Sequence, residues 1–138
     1  MHQFIIGGER YGTPLPDDFN LAVKSEKKLR LSQIVAKSGN KVRFRYEYDL
    51  DDVWLHEIAF EEFPDPEAKA KYPRCVAGTR SGPPEDIGGI GGYEEYLEAI
   101  ADPKHERHDE FMEWNGGWDA ETFSVESVNK ALRGFSRR

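Results

Sequence analysis

The stretch from Tyr72 to Ile100, YPRCVAGTRSGPPEDIGGIGGYEEYLEAI, restricts this chain more than any other. A Tyr-Pro step, a Pro-Pro-Glu-Asp step and two Gly-Gly pairs stand directly before a helical pattern. Proline fixes φ and glycine opens the region of positive φ, so punctuation this dense specifies a backbone path. It specifies a shape and no reaction.

The N-terminal half reads as strands. Phe4-Ile5-Ile6, Gly7-Gly8 and Glu9-Arg10-Tyr11 make strand, tight turn, strand. Residues 12–18, with Pro14 and Pro16, read as loop, and Lys28 to Leu31 as a short strand. Ser32 is an N-cap candidate for a helix through Lys37, closed by Gly39-Asn40. A clearer hairpin follows. Val42, Phe44, Tyr46 and Tyr48 alternate with polar residues, as do Trp54, His56, Ile58 and Phe60. Both apolar sets share one face when Tyr48 pairs with Trp54, Tyr46 with His56, Phe44 with Ile58 and Val42 with Phe60. The other face then sets Arg45 against Glu57 and Lys41 against Glu61. Slipping by one residue would mismatch the faces. The connection must be an odd-length loop or a bulge, with one residue at positive φ.

Helical periodicity takes over in the C-terminal half. Tyr93, Tyr96, Leu97 and Ile100 share a face. Asp102-Pro103 is expected to end that helix and cap a second, which carries His108, Phe111, Met112 and Asn115 and stops at Gly116-Gly117. Ser124 caps a last helix with Val125, Val128, Asn129 and Leu132. The expected fold is α+β: an antiparallel sheet of hairpins from the N-terminal half, packed against three to four short helices from the C-terminal half. At 138 residues the chain suits one domain, 1–138.

Charge argues against one class of partner. Residues 1–48 hold nine Lys/Arg against five Asp/Glu, and residues 49–138 hold ten against twenty-one. That acidic portion repels a phosphate backbone, so direct nucleic-acid binding is not expected. The basic patch Lys24, Lys27, Lys28 and Arg30 reads as a solvated face or a local anion contact. No apolar run reaches the roughly 18 residues of a membrane span. Met1 leads into a strand-like stretch, not a signal-peptide pattern. The single cysteine, Cys75, fits a reducing compartment, so a cytoplasmic location is expected.

Several side-chain sets are chemically suggestive. Asp49, Asp51, Asp52 and His56 place three carboxylates and an imidazole on one hairpin, the donor types of a divalent-metal or acid/base site. The alternative is a turn whose Asp side chains bond backbone amides, with His56 packed beside Tyr46 and Trp54. His105 and His108, spaced i, i+3 after Asp102, could share a helical face toward a metal, or simply follow a capped start. Glu85 and Asp86 form a carboxylate pair that either catalyses or caps a turn. The catalytic candidates are therefore Asp49, Asp52, His56, Glu85 and Asp86, and the metal candidates Asp52, His56, His105 and His108. Gly88 to Gly92 matches neither phosphate-loop fingerprint. Cys75 reads as a quiet thiol. Tyr93, Tyr96, Trp114 and Trp118 read as core rather than a recognition surface.

Three segments together carry a resemblance: YEYDLDDVWLHEI at 46–58, YPRCVAGTRSGPPEDIGGIGGYEEYLEAIADPKHERH at 72–108, and WNGGWDAETFSVESVNKAL at 114–132. They resemble the plasmid pRiA4b ORF-3-like family, with its Asp-Phe-Gly-Asp-x-Trp-x-His hairpin, Pro-Pro-Glu-Asp-x-Gly-Gly segment and Asp-Pro-x-His element. The opening MHQFIIGGERYG resembles an interior stretch of the family domain, which implies a chain starting late, with a strand and helix of the family missing. The family hairpin glycine is Asp51 here, and cysteines of relatives are Gly82 and Ile87. A thiolate-rich metal site or redox pair is thus not expected.

The resemblance implies no established activity and an association with plasmids or mobile elements. The favoured expectation is a small interaction or regulatory module that binds a protein partner, without a cofactor. Self-association through an exposed sheet edge is open to it. The alternatives are a divalent-metal-dependent hydrolase using the carboxylates and histidines above, and a DNA-associated accessory protein of a mobile element.

Overall fold

A computed structural model describes residues 1–14, 22–38, 42–62 and 64–135, with residues 36–38 described by backbone alone. The fold is α+β. Among the described residues, five strands form a mostly antiparallel sheet in the N-terminal half, and three of the four α-helices lie in the C-terminal half. The chain divides into two compact units, Met1–Phe63 with Gly88–Gly91, and Pro64–Ile87 with Gly92–Arg138.

In the first unit the strands are β1 (His2–Ile6), β2 (Glu9–Gly12), β3 (Val23–Ser25), β4 (Arg43–Tyr48) and β5 (Trp54–Ala59), ordered β3-β2-β1-β4-β5. Gly7 and Gly8, at φ 58° and 82°, close the β1–β2 hairpin in two residues. Both central positions of such a turn need positive φ, which glycine adopts without a steric cost. β3 departs from the hairpin pattern: it runs parallel to β2. It also replaces the strand expected at 28–31. Glu26–Lys28 instead form a 3-10 turn, with the Leu29 N–H bonded to the Glu26 carbonyl at 3.0 Å.

Helix α1 (Leu31–Ser38) begins one residue before the expected cap, Ser32. The Gln33 side-chain oxygen accepts from the Arg30 N–H at 2.8 Å, one half of a capping box, so Arg30 is the residue at the start. The expected stop at Gly39-Asn40 and the Lys41–Glu61 pair lie outside the described residues.

The β4–β5 register matches the sequence expectation: Tyr48 pairs with Trp54, Tyr46 with His56 and Phe44 with Ile58. Phe60 N–H bonds the Val42 carbonyl at 2.8 Å, extending the same register. The loop is odd, residues 49–53, closed by Val53 N–H to the Asp49 carbonyl at 2.6 Å. Two residues, not one, take positive φ: Asp49 at 54° and Val53 at 53°. Glu57 forms its ion pair with the diagonal Arg43, 3.1 Å away, although Arg45 stands opposite it. Ile34, Val42 and Phe44 form the buried core, with Phe4, Ile6, Leu29, Ile58 and Phe60 packed on it.

The second unit carries α3 (His108–Asn115), α4 (Val125–Leu132) and most of α2 (Gly89–Ala101). α2 starts four residues before Tyr93. Asp86, Gly88 and Gly89 all have positive φ, which turns the chain sharply enough for the helix to begin inside the glycine run. Asp102 does not cap α3. Its side chain accepts from Lys104 N–H at 2.9 Å in a separate turn, and α3 starts only at His108. Ser124 does cap α4, accepting from Ser127 N–H at 3.1 Å. Tyr96 is fully buried, with its hydroxyl donating to the Asn115 carbonyl at 2.6 Å. Its ring meets Phe111, Trp114 and Trp118 edge-on at 5.3–5.7 Å. Of the aromatic set read as core, Tyr96 alone is fully buried; Tyr93 and Trp118 are half-buried, and Trp114 is 49% exposed, its ring only edging Tyr96. No helix among the described residues is long and apolar enough to cross a membrane.

Candidate functional site

Two of the three hairpin carboxylates, Asp49 and Asp52, are engaged with backbone. Asp49 accepts from Asp51 N–H at 3.2 Å, and Asp52 from Gly88 N–H at 3.1 Å. Bonds of this kind are the usual reason for Asp at a turn. His56 Nδ1 lies 3.0 Å from the Trp54 carbonyl. A carbonyl only accepts, so Nδ1 carries the proton and the lone pair of the neutral ring sits on Nε2. The ring lies 5.5 Å from Tyr46, which in turn meets Phe4 at 4.9 Å and His2 at 5.7 Å. These rings form a ladder across β5, β4 and β1.

In the second unit, His105 Nδ1 accepts from Arg107 N–H at 3.1 Å, and His108 Nδ1 lies 2.7 Å from the Ala99 carbonyl. The two imidazoles serve different backbone groups and do not share a helical face, because α3 begins only at His108. Glu85 and Asp86 are exposed. Asp86, at φ 59°, lines a cavity of about 300 Å³ with Glu95, Arg107, Glu110 and Phe111. Arg107 dominates it. It donates twice to Glu110, at 2.7 and 2.9 Å, and once to Glu95 at 2.7 Å, and its guanidinium sits 4.3 Å from the Phe111 ring centre. The Arg107 bonds hold the Glu110 carboxyl below its usual range. Sequence reasoning missed this network, although the i, i+3 spacing of Arg107 and Glu110 was a local signal. Among the described residues, no three of His, Cys, Asp and Glu are grouped so as to hold a metal ion.

A second cavity was not foreseen. It has a volume of about 400 Å³ and lies in the first unit. Phe4, Ile6, Phe44 and Ile58 line it from the sheet, and Leu31 and Ile34 from α1. Tyr11, Leu29 and Phe60 contribute further apolar surface. Glu26 is the charged residue in the lining, and its carboxylate lies 3.0 Å from His2 Nε2. Leu31 is 52% exposed although it lines the cavity, so this apolar surface opens to solvent at α1. Concave sites of this size, mostly apolar with few polar groups, are the usual form of a binding pocket. The signal in sequence was weak: Leu29, Leu31 and Ile34 fit neither a strand nor a helix period alone.

The family model for the plasmid pRiA4b ORF-3-like protein matches residues 1–127. An uncharacterized protein, y4hQ, of Sinorhizobium fredii (strain NBRC 101917 / NGR234) is 39% identical over 134 residues, covering 96% of this chain and 68% of the relative. The crystal structure of a protein of unknown function, MM3350 from Methanosarcina mazei Go1, superposes with a TM-score of 0.76 at 31% identity, covering 91% of this chain and 71% of that one.

Proposed function

The chain belongs to the plasmid pRiA4b ORF-3-like family, and we propose that it works by binding: an interaction module that receives an apolar element of a partner protein in the cavity of its first unit. The observation that carries this reading is the open apolar cavity itself, about 400 Å³ lined by exposed Leu31 together with Phe44 and Ile58. Seating apolar side chains there would remove surface from water at roughly 25 cal/mol per Å². The chemically reactive side chains give less support to catalysis. Asp49, Asp52, His105 and His108 each meet a backbone group, and Glu95 and Glu110 are matched by Arg107. The acidic C-terminal portion favours a protein partner over DNA. On this reading the module is cytoplasmic and regulatory, and serves a plasmid or mobile element.

The test is selection of a random peptide display library on the folded full chain. Peptides that bind the wild type and lose binding to Leu31→Asp, with unchanged circular dichroism, support the reading. A library yielding only peptides indifferent to Leu31→Asp overturns it.

A further inference from the structure

The mouth of the apolar cavity is built from a segment in which lining and exposed residues interleave. Glu26, Leu29 and Leu31 line the cavity. Lys27, Lys28 and Arg30, between them, are exposed. Every position from 27 to 30 that does not line the cavity therefore carries a cation. The neighbouring charges are already matched. Glu26 is held 3.0 Å from His2, and Lys24 stands 2.9 Å from Glu9. Among the described residues, no carboxylate pairs with Lys27, Lys28 or Arg30. Beyond the Phe60 wall the chain continues as Glu61 and Glu62, of opposite sign. Among the described residues, the 27–30 side thus carries positive charge without an ion-pair partner. The Debye length is about 8 Å in physiological salt, so a docking segment responds to these nearby cations more than to the net charge of −7.

We infer that the segment received by the cavity is an acidic amphipathic peptide. One or two apolar side chains seat against Phe4, Phe44 and Ile58, and adjacent Asp or Glu side chains meet Lys27, Lys28 and Arg30. This rests on the interaction reading above and adds the chemistry of the partner. The apolar anchor supplies the burial, while the carboxylates set orientation and association rate.

The experiment titrates the full chain with two synthetic ten-residue peptides that share one Leu-Phe anchor, flanked by Glu in one and by Lys in the other. Octanoate and octylamine serve as small-molecule controls. Methyl NMR shifts of Ile34 and Ile58 report occupancy. The expected result is that the Glu peptide binds at least tenfold tighter than the Lys peptide, and that raising salt from about 0.05 to 0.3 M narrows the gap. Combined Lys27→Glu, Lys28→Glu and Arg30→Glu substitution reverses the preference. These are surface positions, and Lys27→Glu alone, giving a smaller shift in the same direction, covers the case in which the triple variant does not fold. Equal binding of both peptides, or preference for the Lys peptide, overturns the acidic-partner inference and leaves the interaction reading standing. Octanoate binding with no peptide binding overturns both.

Discussion

Asn129 reads the backbone of Cys75 from both sides: its side-chain oxygen accepts from Cys75 N–H at 2.7 Å, and its amide nitrogen donates to the Cys75 carbonyl at 3.0 Å. One side chain on α4 thus does for a loop residue what a neighbouring strand would do. The same loop is tied again by Arg80 to Glu121 at 3.0 Å and by Ser81 N–H to the Ala120 carbonyl at 2.9 Å. Asn129→Ala leaves both Cys75 groups, which are partly buried, without this partner. The expected loss is about 1–3 kcal/mol of stability, read from urea unfolding. A loss below 0.5 kcal/mol would mean that water replaces the amide at little cost.

Two glycines of the second unit should respond differently to alanine. A Cβ at Gly92 would overlap the Ile87 backbone carbonyl, which cannot swing aside. Alanine normally stabilises a helix by up to about 1 kcal/mol over glycine. Gly92→Ala is nevertheless expected to destabilise by about 2 kcal/mol. A Cβ at Gly78 meets only the end of the Phe123 ring, which is partly exposed and can rotate. Gly78→Ala is expected to cost about 1 kcal/mol, and less in a Phe123→Ala background. Equal effects at both sites would contradict the distinction between rigid backbone and movable ring.

Val53 is a β-branched residue at φ 53°, a conformation in which its Cβ is crowded. It is 46% exposed, so little packing depends on it. Val53→Gly should stabilise the hairpin by about 0.5–1 kcal/mol. A lower melting temperature would show that the valine side chain holds the loop in some other way.

Burial pushes the Tyr96 phenol above its ordinary 10.0, with Tyr93 adding to the shift. A raised folded value means stability that is full below pH 10 and declines as the phenol of the unfolded chain ionises first. Tyr96→Phe removes the hydroxyl bond to Asn115, at a cost of about 1 kcal/mol near pH 7. It should also weaken the fall in stability above pH 10. Parallel stability curves for both proteins from pH 9 to 11.5 would refute the second part.

Acid should act mainly on three carboxyls of the second unit. Hydrogen bonds from Arg74 lower Glu67, and hydrogen bonds from Arg107 lower Glu110. The Glu121 N–H, then the Thr122 hydroxyl, lower Asp119. Each contributes stability above its ordinary value, 4.5 for Glu and 3.8 for Asp, which is lost as pH falls through the lower folded value. Melting temperature should therefore drop below about pH 4.5, and Arg107→Gln should shallow the drop. An unchanged slope in that variant would remove Glu110 from the account.

The hairpin register, the Gly7-Gly8 turn and the Ser124 cap were all legible in the linear chain. Each follows from chemistry within a few residues: a period of two that must put one face inward, a turn that needs positive φ, a hydroxyl that reaches an amide three positions on. The start of α3 was not legible. Asp102-Pro103 is a good helix opening, yet Asp102 spends its side chain on Lys104 N–H, and the chain makes another turn before the helix begins. The early start of α2 was hidden for a related reason. Its glycines read as loop until three positive φ values place Gly89 at the head of a helix.

The candidate site divides in the same way. The sequence by itself determined which residues bring carboxylate and imidazole chemistry, and that the N-terminal half is basic while the remainder is acidic. It could not say which of those groups are taken. Asp52 meets Gly88, Glu26 meets His2 and Asn129 meets Cys75 across 36, 24 and 54 residues. Only the tertiary structure decided these pairings, and only it opened an apolar cavity between the sheet and α1. Such contacts depend on where separate elements come to rest, which local periodicity does not encode.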